Sequence, residues 1–253
     1  MKREVISSLS RLTLLHLAAN ALLLAAGYYW LGIRESQTST LLGSALLALI
    51  LTGLACWTYG APFAYFQTEQ QREATTAWRA TLARLIPLAV AACAIAAIYW
   101  LIEQWAEYSE QPAFKIASYL TLKFRTPVRP ASVAGVFNTL TWLVRWAVLP
   151  VLLLPMCSAI VARGWTGFRA IGAGIGRWIY WLEVPVLLLC VAWIPRKLLA
   201  WVPLTEGFGL EMTSFLVRAA IAYLLFCVAW LVLAFVTSTG KPRFTQASTE
   251  VSP

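Results

Sequence analysis

Four long stretches of this chain carry no charged side chain, and their length constrains the fold more than any other feature. They are residues 12–33, 36–68, 85–102 and 219–240. The hydrocarbon core of a bilayer is roughly 30 Å thick, so a helix of about 20 apolar residues crosses it. Only a helix or a closed barrel satisfies its own backbone hydrogen bonds in lipid. These stretches therefore predict membrane-spanning helices.

Two further stretches are apolar apart from one ionisable residue each. Residues 130–162 contain only Arg145, and residues 178–195 contain only Glu183. A single charge leaves the apolar signal of a span intact. The expected fold class is all-α, a polytopic transmembrane bundle of about six helices. The predicted spans are 12–33, 41–66, 85–102, 133–162, 178–195 and 213–236.

The overall composition agrees with these spans. Hydrophobic residues make up 60% of the chain and charged residues 12%, which is about half the charged share of an average soluble domain. Spans and short connections account for most of the length, so little sequence remains for a separate soluble module. We therefore expect a single integral membrane domain over residues 1–253.

The distribution of Lys and Arg predicts the orientation of the bundle. With six spans, both termini lie on one side of the membrane. If that side is the inner one, eleven Lys and Arg residues fall on inner segments and seven on outer loops. Because cytoplasmic loops are enriched in Lys and Arg, this bias predicts that both termini are cytoplasmic. The plasma membrane is the expected location.

The net charge of +9 is thereby concentrated on the inner surface. A basic surface beside a membrane attracts anionic lipid headgroups, and the chain offers no separate module for binding nucleic acid. Membrane lipids are the expected partners, and no nucleic acid is expected. Five arginines are candidate headgroup contacts: Arg79, Arg84, Arg163, Arg169 and Arg177.

The inventory of chemically reactive residues argues against most membrane enzymes. The chain contains one histidine, His16, and no aspartate. Haem held by two histidines, an aspartyl intramembrane protease and an H-E-x-x-H metalloprotease are therefore excluded. The five cysteines fall one each in spans two to six, without the short spacing of a zinc site. We expect no catalytic residue, no cofactor and no metal site.

Polar residues inside the predicted spans are candidates for function, since burying them in lipid costs free energy. Counting 1.5 Å per residue from the span ends predicts two polar layers. The inner layer contains His16, Asn20 and Glu183, with Ser158 beside them; the outer layer contains Arg145 and Arg218, with Glu103 and Glu211. A carboxylate near an imidazole could relay a proton. Alternatively, both layers are structural.

Two small-residue patterns have competing interpretations. Gly172, Gly174 and Gly176 precede the fifth span in the sequence G-A-G-I-G. A phosphate-binding loop would need a strand before it, so a hinge or a close helix contact is favoured. Ala89, Cys93 and Ala97 repeat every four residues in the third span. This spacing predicts a close neighbouring helix and a central place for the third span.

These observations predict a non-enzymatic integral membrane protein, an accessory, assembly or scaffold component that binds lipid, a partner protein or further copies of itself. The alternative is a small-solute or proton-coupled transporter that uses Glu183 and His16 together with the proline-kinked fourth and fifth spans. An intramembrane enzyme is the third hypothesis. A transporter requires a water-accessible path lined by polar groups, whereas a scaffold requires a dry core and an exposed face of small residues.

Overall fold

The structure, a computed structural model, describes residues 2–34, 37–67, 73–202 and 207–239. These residues form helices and connecting turns without a strand, which confirms the all-α fold class. The α-helices are α1 (Lys2–Leu31), α2 (Thr38–Gln67), α3 (Ala74–Ala83), α4 (Leu85–Tyr108), α5 (Glu110–Phe124), α6 (Pro130–Leu143), α7 (Leu149–Arg163), α8 (Tyr180–Leu188), α9 (Ile194–Ala200) and α10 (Phe208–Thr239).

Five helical runs in the described part of the chain are long and apolar enough to cross a membrane. They are Ile6–Leu31, Thr38–Gln67, Leu85–Tyr108, Pro130–Ala170 and Phe208–Ser238. They correspond to five of the six predicted spans. The remaining prediction, 178–195, falls on α8, a π-helical turn and α9, which follow one another without a break. That run carries Glu183, Arg196 and Lys197, and it is not among the five runs that are both long and apolar enough.

Both π-helical turns end two residues before a proline. Val144–Val148 joins α6 to α7 and precedes Pro150, while Leu189–Trp193 joins α8 to α9 and precedes Pro195. Proline has no N–H, and its ring clashes with the carbonyl four residues earlier in an α-helix. A wider π turn moves that carbonyl away from the ring. The prolines therefore alter the helices locally without ending them.

The N-terminal end of α1 and the C-terminal end of α10 lie at the same end of the bundle. Phe66, at the end of α2, packs on Phe235 near the end of α10. Arg11, near the start of α1, lies close enough to Glu73 to act on its charge. We call this the proximal end and the opposite one the distal end. The start of α1 and the end of α10 therefore lie at the same end of the bundle.

The buried core lies in the proximal half of the bundle. α4 buries only Pro87, Leu88 and Ala91, all in its first two turns, and α6 buries no residue. Phe63 of α2, Ile160 of α7 and Ala234 of α10 belong to the same core cluster; its other large members are Leu12, Tyr65, Leu153, Met156, Val161 and Leu231. The helices therefore pack tightly at the proximal end and separate toward the distal end.

The predicted central position of the third span is wrong. Cys93 and Ala97 of α4 are exposed, and Ala89 is only partly buried. The opposite face of α4 reaches the core through Ala91, which is 1% exposed. The stripe of small residues therefore faces outward, because α4 lies at the periphery and is buried only where the proximal core reaches it.

Candidate functional site

The separation of the helices leaves a groove between α1, α2, α9 and α10. Its volume is about 740 Å³, and its lining is almost entirely apolar. α1 contributes Asn20, Leu23, Leu24, Gly27 and Trp30; α2 contributes Ala48, Leu51, Thr52, Ala55 and Tyr59; α9 contributes Pro195 and Leu199; α10 contributes Phe215, Ala219, Ala222, Tyr223 and Phe226. We refer to this space as the distal groove.

The sequence of α1 explains where the distal groove begins. Leu12, His16 and Asn20 follow at intervals of four residues on one face, and each is at most 2% exposed. The same helical face continues through Leu24 and Gly27. Over residues 21–31, however, α1 has no buried residue. The face that packs in the proximal half therefore lines an open space in the distal half.

The groove runs along the bundle axis and opens sideways. From Asn20 to Trp30, α1 covers about 15 Å at 1.5 Å per residue, which is about half the thickness of a hydrocarbon core. Three lining side chains are themselves exposed, Leu24 by 63%, Phe215 by 47% and Leu199 by 42%. The groove is therefore accessible from the flank of the bundle over about one leaflet.

A second, smaller cavity lies on the other side of α2. Its volume is about 320 Å³, and it shares Thr52, Ala55 and Tyr59 with the distal groove. Ile95 of α4 and Cys157 of α7 line its far side. The linings of both cavities are predominantly apolar, so neither cavity resembles a polar channel.

His16 and Asn20 form a polar pair at the proximal end of the groove. The Asn20 amide donates to the backbone carbonyl of His16 at 2.8 Å, and its Nδ2 atom lies 3.2 Å from His16 Nε2. The His16 ring is fully buried and contacts Tyr59 edge to face. The hydroxyl of Tyr223 on α10 donates a hydrogen bond to the carbonyl of Leu17. This part of α1 therefore contacts α2 through Tyr59 and α10 through Tyr223.

The other members of the predicted inner layer lie elsewhere. Ser158 receives its hydrogen bond from the side-chain amide of Gln67, at 2.5 Å. Glu183 is half-buried, and within the described residues no hydrogen bond or ion pair joins it to His16. α1 packs against α2, α3 and α10, whereas α8 packs mainly against α7, α10 and the two π turns. The structure does not bring the inner layer together.

The predicted outer layer is divided in a similar way. Arg145 and Glu103 form an ion pair with Nη1 and Oε2 2.7 Å apart. The position of Arg145 in the π turn also explains why its backbone carbonyl is free to bond to α4. In the π turn the N–H of Leu149 bonds to the carbonyl of Val144, and Pro150 has no N–H to offer. The carbonyl of Arg145 accepts the hydroxyl of Tyr99 instead, at 2.9 Å.

Arg218 lies apart from this pair, on α10. It is 8% exposed, and its guanidinium donates to the carbonyls of Ser214 at 3.2 Å and Leu198 at 3.4 Å. The guanidinium carbon also lies 5.8 Å from the centre of the Trp201 ring. Glu211, predicted as its neighbour on the same helical face, is exposed and forms no ion pair with it.

The five arginines predicted to meet lipid headgroups lie at the proximal end. Arg79, Arg84, Arg163 and Arg169 are exposed, while Arg177 is half-buried with its guanidinium over the Tyr180 ring. Glu73 at the start of α3 accepts hydrogen bonds from the hydroxyls of Thr75 and Thr76, which lower the pKa of its carboxyl. The exposed arginines therefore make the described part of the proximal surface basic.

The glycine-rich segment has a packing role. From Gly164 the chain folds back along α7 as a 3₁₀ helix, Gly164–Ala170. The N–H of Gly172 then donates to the carbonyl of Leu152, at 3.2 Å. Pro155 cannot bond to the carbonyl of Val151, and a Cβ on Gly174 would lie only 2.7 Å from that oxygen. The glycines thus let the segment approach α7 where proline has exposed its backbone.

The distal groove was not predicted from the sequence. Its small residues are Gly27 on α1, Ala55 on α2 and Ala222 on α10. Each of these is a common residue in membrane helices, so none of them by itself indicates a groove. The available signal was the continuation of the His16 and Asn20 face through Gly27, but that signal requires knowing which helices are neighbours. Comparisons with protein-family models, with curated proteins and with solved structures return no match for this chain.

Proposed function

We propose that this protein is a non-enzymatic accessory or scaffold component of the plasma membrane, with cytoplasmic termini, that associates with a membrane-protein partner through the outer face of α4. The observation that carries the proposal is the outward stripe of small residues. Cys93 and Ala97 are exposed, although small residues at this spacing suit close helix contact. A partner helix packed there would cover them.

The dispersal of the polar residues supports an accessory role over transport. A proton-coupled path would need Glu183 near His16, and the structure places the two on helices that do not pack extensively against each other. The cavities beside His16 and Asn20 have apolar linings. The exposed arginines at the proximal end are well placed to bind anionic headgroups of the inner leaflet.

The proposal is tested by purifying the tagged protein in native nanodiscs and identifying the co-purifying proteins by mass spectrometry. We expect a stoichiometric membrane-protein partner. Replacing Ala97 with leucine should reduce its recovery about tenfold, since a larger side chain holds the two helices apart and overpacking costs about 1–3 kcal/mol. Ala25→Leu is the matched control, because Ala25 is an exposed alanine on α1, away from α4.

Two results would contradict the proposal. One is recovery of the wild-type protein as a lone monomer. The other is equal recovery of the partner with Ala97→Leu and with Ala25→Leu, because the contact would then not involve the outer face of α4. Proton-linked flux in reconstituted vesicles that is lost in Glu183→Gln would instead favour the transporter hypothesis.

A further inference from the structure

Arg218 lies beside the groove on α10, between the lining residues Phe215 and Ala219, and its guanidinium contacts the carbonyl of Leu198, which precedes the lining residue Leu199. Phe215, Ala219 and Ala222 line the groove, and Arg218 shares their face of α10 at intervals of three and four residues. Side chains in a helix tilt toward its N-terminus, which for α10 is the distal end. The bond from Arg218 to the carbonyl of Ser214, one turn earlier, agrees with that direction.

The charge of Arg218 is not neutralised by the described part of the chain. Its hydrogen-bond acceptors are two backbone carbonyls, and no described carboxylate forms an ion pair with it. Two further cations, Arg196 and Lys197, follow the groove residue Pro195 on α9 and are exposed. Arg218 is only 8% exposed, so water does little to stabilise its charge. An anionic group that reaches the guanidinium from the lipid side would therefore stabilise it strongly.

The groove beside Arg218 has the dimensions and surface of a site for a lipid chain. It extends about 15 Å along the axis, which is roughly one leaflet of hydrocarbon. Its volume of about 740 Å³ lies within the usual range for sites of small apolar ligands. Trp30 lies at its distal end and donates its indole N–H to Ser44, while its inner end is closed by Asn20 and Tyr59.

From the charge beside the groove and the apolar space within it, we propose that the distal groove holds one glycerophospholipid of the distal leaflet. An acyl chain occupies the groove between α1, α2 and α10, and the phosphate accepts hydrogen bonds from Arg218 near Arg196 and Lys197. This site is separate from the basic proximal surface, and it does not depend on the partner proposed above.

The test is native mass spectrometry of the detergent-purified protein titrated with phosphatidylglycerol. We expect one tightly retained lipid in the wild type and about tenfold weaker binding in Arg218→Gln, since a charge-assisted hydrogen bond is lost. Gly27→Leu should weaken binding to a similar degree by filling the groove. No atom lies within 4 Å of a Cβ at Gly27, and leucine is the better helix former, so this variant is expected to fold.

Matched controls separate the site from general effects. Arg129→Gln removes an exposed cation at the same end of the bundle, and Gly135→Leu adds the same side chain on α6, where a Cβ also meets nothing within 4 Å. Both should retain the lipid. Thermal midpoints of all four variants report whether each one folds.

Competing ligands distinguish the two parts of the proposed site. Diacylglycerol has the chains without the phosphate, and glycerol phosphate has the phosphate without the chains. We expect both to bind more weakly than phosphatidylglycerol. Equal binding of diacylglycerol, equal binding of glycerol phosphate, or unchanged phosphatidylglycerol binding in folded Arg218→Gln and Gly27→Leu would overturn the proposal. These results leave the partner on α4 untouched, because the measurement uses the purified protein alone.

Discussion

Replacing Gly167 with alanine is expected to destabilise the fold by about 3 kcal/mol, near the upper end of the usual cost of overpacking. Gly167 lies in the 3₁₀ helix that folds back on α7. A Cβ at this position would lie 2.4 Å from the backbone nitrogen of Ile160 and 2.5 Å from the carbonyl carbon of Ala159. Both atoms belong to the backbone of α7, which cannot rotate aside as a side chain can. The measurement is the thermal unfolding midpoint in detergent.

Gly176→Ala provides the matched control for this prediction. Gly176 lies in the same returning segment, is exposed, and would place its Cβ at least 4 Å from any other group. Its midpoint should equal or slightly exceed that of the wild type, since alanine reduces the entropy of the unfolded chain. If Gly167→Ala unfolds at the same temperature as Gly176→Ala, the close packing of the segment on α7 is wrong.

The second large effect is expected for Trp230→Ala. Trp230 packs against the proximal core cluster and against a second buried cluster, which consists of Val151, Tyr180, Val184 and Leu233. Its ring meets those of Tyr59 and Phe63 edge to face, with centroids 5.1 and 6.0 Å apart. Its indole N–H donates to the carbonyl of Tyr59 at 3.3 Å. In the core of a water-soluble protein such a truncation costs about 3–5 kcal/mol. We expect about 2 kcal/mol here, because a tryptophan that leaves the core of a membrane protein meets lipid or detergent and not water.

Trp178→Ala is the corresponding control, because Trp178 is 77% exposed. We expect it to change the free energy of unfolding by less than about 0.5 kcal/mol, as surface substitutions usually do. Denaturation of both variants in mixed micelles, followed by circular dichroism, gives the comparison. Equal stabilities of the two tryptophan variants would show that Trp230 does not join the clusters as described.

The spans were predictable from the sequence because lipid imposes one solution on an apolar backbone. Apolar stretches of about 20 residues with few or no charges form helices there, and five such helical runs are present in the described residues. The predicted span 178–195 was less well defined. The helical run that contains Glu183 also carries Arg196 and Lys197, and it includes a π turn. Single apolar windows do not reveal the wider turns that proline induces.

Contacts between helices were predictable only where charge and depth restricted the choice. Arg145 and Glu103 were assigned to one layer by counting residues from the span ends, and they form an ion pair. His16 and Glu183 were assigned to one layer by the same counting, but depth alone does not determine which helices are neighbours. Tyr223 and Leu17 are joined across 206 residues, and no local pattern in the sequence indicates that contact.

The outward position of α4 and the distal groove have a common cause that the sequence does not express. Both follow from the concentration of the core in the proximal half, where Phe63, Met156 and Ile160 pack together. Small residues such as Cys93 and Ala97 permit close packing but do not state whether the neighbour belongs to the same chain. The prediction of a central third span assumed that it does.

The most direct measurement of the central claim is site-specific photo-crosslinking in living membranes. A photoreactive phenylalanine analogue placed at Ala97 would report what covers the outer face of α4, and the same analogue at Ala25 would report an ordinary lipid-facing position. We predict one discrete protein adduct from position 97 and no protein adduct from position 25. The absence of a protein adduct from position 97, in cells where the protein is correctly inserted, would contradict the proposed accessory role.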